Sequence, residues 1–135
     1  MKNLLLSFVL VTIGMTTMST SCEKQKNNCE NAICTEVFMT VATQVVDKDG
    51  IPVILDEVYT MRTNLDERIE IDQHMGEGSY IVLDDNYRLK LQNNSGEFTF
   101  VGKKDGKIVV EEPFTISADC CHIEKKTGKE VITLQ

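Results

Sequence analysis

The chain contains no tryptophan and only 2 prolines, and aromatic residues make up 6% of it. Without tryptophan, the Cys–Trp–Cys arrangement of antibody domains is excluded. No Cys-x-x-Cys pair occurs, which removes the zinc knuckle and the thioredoxin-type redox site. A nucleophile elbow around Ser79 would need glycine at position 77, where Glu77 stands. Gly76-Glu77-Gly78 has Ile81 where a dinucleotide loop needs its third glycine, and no helical pattern follows. Asp47, Asp49 and Gly50 fail as a calcium loop, because the glycine is misplaced and the distal bidentate glutamate is missing. Basic residues are also scarce, 14 against 21 acidic, for a net charge of −7. So acidic a surface repels phosphate backbones and gains no electrostatic hold on anionic lipid. No catalytic constellation and no cofactor are expected.

Long hydrophobic stretches are absent except for Leu4 to Met18, mostly apolar and uncharged, after the single charge of Lys2. That run is short for a bilayer core of about 30 Å and has the form of an export signal. It ends in Ser19-Thr20-Ser21-Cys22, small residues directly before a cysteine, which resembles a bacterial lipobox with Ser19 in place of the usual leucine. The resemblance implies cleavage before Cys22 and lipidation of its sulfur, with palmitate-like acyl chains anchoring the protein to a membrane. An ordinary export signal would instead leave Cys22 as a fifth thiol.

Five cysteines are present. Lipid on Cys22 leaves Cys29, Cys34, Cys120 and Cys121, the number needed for two disulfides in an oxidising compartment. The expected organisation is therefore a signal peptide over 1–21, a lipidated polar tether over 22–35 and one domain over 36–135. Loss of residues 1–21 removes Lys2 and no acidic residue, leaving 13 basic and 21 acidic side chains and a charge of −8. The bacterial cell envelope, at the inner or outer membrane, is the expected location. The expected partners are the membrane, through Cys22, and an envelope protein or glycan, with no nucleic acid; the protein is expected to be a monomer.

The domain is punctuated as hairpins. Glu36 to Val46 alternates, with Val37, Met39, Val41 and Val45 on one face. Asp47-Lys48-Asp49-Gly50 forms a turn, and Pro52 to Thr63 reads as the return strand. Strands are expected at Tyr80–Leu83, Glu97–Lys103, Lys107–Ile116, Cys121–Lys125 and Glu130–Leu134. The longest places Ile108, Val110, Phe114 and Ile116 on one parity, the period of a half-buried strand. Asn64–Met75 fits a strand or a short helix, and Tyr87–Gln92 a strand or, from Asp85, a helical turn. Asp84-Asp85-Asn86, Asn93-Asn94-Ser95-Gly96, Lys104-Asp105-Gly106 and Thr127-Gly128 supply turn chemistry. About seven to nine short strands so spaced predict one all-β, antiparallel, Ig-like or transthyretin-like sandwich.

Asp47-Lys48-Asp49-Gly50-Ile51-Pro52-Val53 and Gly78-Ser79-Tyr80-Ile81-Val82 resemble the first hairpin and the Gly-x-Tyr strand of bacterial transthyretin-like or carboxypeptidase-regulatory-like domains. The segment from Phe98-Thr99-Phe100 to Asp119-Cys120-Cys121-His122 is similar to small lipid-anchored members of unassigned function. The likeness covers about residues 36–135. It implies a non-catalytic seven-stranded sandwich used as an accessory or adhesion module, and it does not imply a ligand.

The cysteine cluster is the one candidate for chemistry. Cys29, Cys34, Cys120, Cys121 and His122 could hold zinc or cuprous copper, so a metal-handling lipoprotein is the alternative reading. Adjacent cysteines in a strand face opposite ways, and export favours disulfides over metal. Four cysteines allow three pairings. The pairing Cys29–Cys34 with Cys120–Cys121 closes a strained eight-membered ring and gains least loop entropy. The N-terminal pair is thus expected to bridge to the C-terminal pair, in an order left open. His122 is expected beside the bridges or in solvent, and His74 alone. Asp66, Glu67, Glu70, Asp72, Glu77, Asp84 and Asp85 read as a solvated acidic face rather than a glycosidic pair.

Overall fold

The computed structural model describes residues 29–71 and 74–135, with only the backbone of His74. Residues 1–28, Cys22 among them, and Asp72 lie outside the described residues.

The organising hairpin joins β6 (Asn94–Lys104) to β7 (Lys107–Ala118), antiparallel from Asn94 opposite Ala118 to Lys104 opposite Lys107. Asp105 and Gly106 have φ of 51° and 71°, the pair of positive angles a two-residue hairpin turn requires. Val110, Glu112, Phe114, Ile116 and Ala118 are buried on one parity. Ile108 departs from it and is 50% exposed. The register shifts between Gly102 and Lys103, and that bulge turns the hairpin end away from the core. Glu112 is buried on the core parity because Lys129 Nζ donates to its carboxylate at 2.8 Å.

Two sheets pack face to face as an all-β sandwich. One has the order β4 (His74–Gly76), β5 (Ser79–Asp84), β1 (Thr40–Val46), β9 (Val131–Thr133), the other β3 (Glu67–Ile69), β2 (Glu57–Arg62), β6, β7, β8 (Ile123–Thr127). β1 (Thr40–Val46) pairs antiparallel with β5 (Ser79–Asp84) and parallel with β9 (Val131–Thr133). β1 begins at Thr40 rather than Glu36, and Val37 and Met39 are exposed. The expected first hairpin also changes. Its turn closes, with Asp47 Oδ1 accepting from Asp49 N and Ile51 N, but only Val46 and Pro52 bridge beyond it. The chain then crosses to the other sheet, where β2 (Glu57–Arg62) pairs with β6. The crossing is fixed by Tyr80, whose hydroxyl accepts from Leu55 N at 2.7 Å and donates to Val53 O at 2.8 Å. Leu55 itself enters the core.

The stretch Asn64–Met75 supplies one short strand to each sheet, β3 (Glu67–Ile69) and β4 (His74–Gly76). Residues 85–91 form a 3-10 turn and the one-turn helix α1 (Arg88–Leu91), not a strand. Asp84 starts them by accepting from Asn86 N. β8 (Ile123–Thr127) begins after the vicinal cysteines, so Cys120 and Cys121 occupy a turn.

Tyr80, Phe98, Phe100 and Phe114 are the largest fully buried side chains. Thr60 Oγ1 ties the sheets across this core by donating to Val82 O at 2.6 Å. Gly128, at φ 122°, lies against the Phe114 ring, where a Cβ would fall 2.0 Å from Cδ1.

The Tyr80 hydroxyl is the most exacting polar contact of the core. Tyr80→Phe leaves the buried Leu55 N and the half-buried Val53 O without it, so a loss of about 1–3 kcal/mol is expected in urea unfolding. A loss below about 0.5 kcal/mol would show that water replaces the hydroxyl.

Candidate functional site: the bridged end of the sandwich

β7 ends at Ala118 and the chain turns through Asp119–His122 into β8. The turn is built by Asp119. Its Oδ1 accepts from Cys121 N at 2.6 Å and His122 N at 2.7 Å, and its own N–H donates to His122 O. This Asx geometry points the two cysteines outward together. They meet the N-terminal segment in two disulfides, Cys29–Cys120 and Cys34–Cys121. Asn93 Nδ2 lies 3.1 Å from Cys29 Sγ, and Arg88 Nη1 donates to Cys121 O at 2.9 Å.

Beside the bridges lies a second, polar tie. Asp85 Oδ2 accepts from Met39 N and faces His122 Nδ1, both at 2.8 Å, while Oδ1 accepts from Ile123 N at 2.8 Å. The Asp85 side chain is only 9% exposed; it does not belong to a solvated acidic face. The other imidazole nitrogen, Nε2, lies 3.1 Å from Thr35 Oγ1. One carboxylate thus gathers the start of β1, the start of β8 and the imidazole.

Hydroxyl, imidazole and carboxylate in line is the order of a nucleophilic triad. Acyl transfer also needs free N–H donors aimed at a developing oxyanion. Here the N–H groups of Cys121 and His122 go to Asp119, and those of Met39 and Ile123 to Asp85. The line holds Thr35 to the domain. With all four sulfurs in bridges, the cluster offers no thiolate for a metal. Among the described residues no group of three or more His, Cys, Asp or Glu is arranged to hold one.

A cleft of about 340 Å³ between β3 and residues 83–90 is lined by Glu70, Asp84 and Lys90 among others. Its lysine is already engaged with Glu67, which also accepts from the Tyr87 hydroxyl at 2.6 Å. Glu67 is accordingly held below the usual carboxylate range, by Lys90 first and Tyr87 second. Asp66, at φ 50°, is exposed in the turn before β3.

Of the residues that build this end, the sequence reading found the cysteines and the Asp119 run but missed Asp85, Thr35 and Arg88. Their partners lie far along the chain, and no local spacing marks them. No protein-family model, curated protein or solved structure matches the chain.

The bridges cross rather than nest, with separations of 91 and 87 residues. The first to form closes a loop near ninety residues, worth about 4.6 kcal/mol on the chain-entropy model. With it in place, the second closes only a small ring through residues 29–34 and 120–121, worth about 2.5 kcal/mol. Replacing either pair by serine should therefore cost about 2.5 kcal/mol, and replacing both about 7. Equal, additive losses of the larger size in denaturant unfolding would refute the joining of the same two short segments by both bridges.

Acid should also loosen this end. Burial is the largest influence on Asp85 and disfavours its charge, but His122 and the N–H groups of Met39 and Ile123 together outweigh it and lower its pKa. The N–H groups of His122 and Cys121 lower that of Asp119. A carboxyl with a lower pKa folded than unfolded stabilises the fold above its unfolded value, and that contribution is lost as pH falls through the folded one. Stability should therefore be level above about pH 5 and decline below about pH 4. Asp85→Asn should flatten the decline in urea midpoints measured against pH; an unchanged slope would count against this role.

Proposed function

We propose that the protein is a lipid-anchored, disulfide-stapled, non-catalytic binding or accessory module of the bacterial cell envelope. In this reading its sandwich is related to transthyretin-like and carboxypeptidase-regulatory-like domains. The observation that carries the proposal is the pairing of Cys29, Cys34, Cys120 and Cys121 in two bridges. They leave Cys22 as the odd cysteine, at the end of an uncharged run and after three small residues. Bridges that persist belong to an oxidising compartment, which an export signal would reach. Among the described residues no helix is long and apolar enough to cross a membrane. In this reading acyl chains on Cys22 supply the anchor. The N–H groups of Cys121, His122, Met39 and Ile123 are all taken by carboxylates, which leaves none of these four for a developing oxyanion and supports a binding role over hydrolysis.

The test is Cys22→Ser in the full chain. The variant should accumulate as soluble protein or precursor and lose detergent partitioning, while the parent partitions and shows no free thiol in denaturant. Partitioning that survives the substitution after correct cleavage would overturn the lipid anchor. Four thiols that become reactive only on unfolding would overturn the disulfide module in favour of metal handling.

A further inference from the structure

Ile33 is 98% exposed, Val37 58%, Phe38 56% and Leu89 68%. All four are fixed to the bridged end by their neighbours. Ile33 precedes Cys34, which is bonded to Cys121. Val37 and Phe38 run between Thr35, held by His122, and Met39, held by Asp85. Leu89 follows Arg88, whose guanidinium donates to Cys121 O. The crosslinks thus hold large apolar side chains outward, where local rearrangement cannot bury them.

The tether begins at the same place. Cys22 lies seven residues before Cys29, so acyl chains on its sulfur could be no more than about 25 Å of extended chain from the bridge. An aromatic and three aliphatic side chains at that distance suit the bilayer interface. With a net charge of −8 once residues 1–21 are removed (13 basic and 21 acidic side chains), attraction to anionic lipid cannot supply this contact, which leaves apolar burial. A separate apolar group, Ile51, Ile54 and Ile108, lies toward the opposite end, by the turns at 47–51 and 105–106, with no tether near it.

We propose that the bridged end of the sandwich, through Ile33, Val37, Phe38 and Leu89, docks onto the lipid bilayer and turns the opposite end outward. The proposal rests on the lipid-anchored reading. The absence of native tryptophan makes a clean test possible. Full-chain Phe38→Trp, Ile33→Trp and Ile51→Trp are produced in a bacterial host that acylates exported cysteines, and acylation of Cys22 is checked by mass spectrometry. Each is then reconstituted in phosphatidylcholine vesicles with and without brominated acyl chains. Blue-shifted emission quenched by bromine is expected for positions 38 and 33, with position 51 unshifted and unquenched. If acylated protein shows no quenching at 38 and 33, docking is wrong and anchoring stands. Equal quenching at 38 and 51 overturns the orientation. A missing acyl group overturns the anchored reading and docking with it. A blue shift at 38 already present in the soluble Cys22→Ser, Phe38→Trp protein would assign the surface to a second copy or to residues 4–18, and would also overturn docking.

Discussion

The crossed pair of disulfides is the constraint on which the arrangement of this domain depends. Residues 29–39 contribute no strand, and Ile33, Val37 and Phe38 bury little surface. By propensity and packing alone this segment would have no reason to stay. The bridges hold it, and Asp85 then uses the proximity to bind Met39 N and Ile123 N with one carboxylate. Covalent closure comes first in this hierarchy and the polar tie refines it. A core with four large fully buried rings gains more from such closure than a larger one would.

The sheets explain why the bridges fall where they do. The β6–β7 hairpin is the longest element, and its open end at Ala118 lies beside α1 and the start of β1. A turn placed there can reach the incoming chain. Asp119 aims that turn, and Gly128 lets the following segment close against Phe114. The last strand, β9, then returns to the opposite sheet and lies parallel to β1. The first and last strands are thus neighbours on one side, and the covalent crossing joins the same two regions at the end.

The all-β architecture and the β6–β7 hairpin were legible in the sequence because their signals are local. Val110, Phe114 and Ile116 alternate with polar residues, and Asp105-Gly106 can adopt only a few turns. The exchange of β2 between sheets was not legible, since nothing in Pro52–Thr63 names its hydrogen-bonding partner. The Tyr80 hydroxyl that decides it lies 25 residues from Leu55. Asp85 was hidden for a related reason: one acidic residue among many looks solvated until a histidine 37 residues away comes to rest on it. Ile108 shows the limit of parity, because the bulge at Val109, in its own strand, reverses a pattern that the sequence carries unbroken.

The crossing also determines how the domain would carry load. A pull applied between Cys29 and the C-terminus passes through sulfur directly to Cys120 and Cys121. Everything between them, including β1 to β7, sits in a closed covalent ring and is bypassed by the force. Only β8 and β9 lie on the stressed path, so such tension could release no more than on the order of 50 Å of chain. With the bridges intact, the sandwich would shed its last two strands under tension, while the remainder of the chain could not be drawn out.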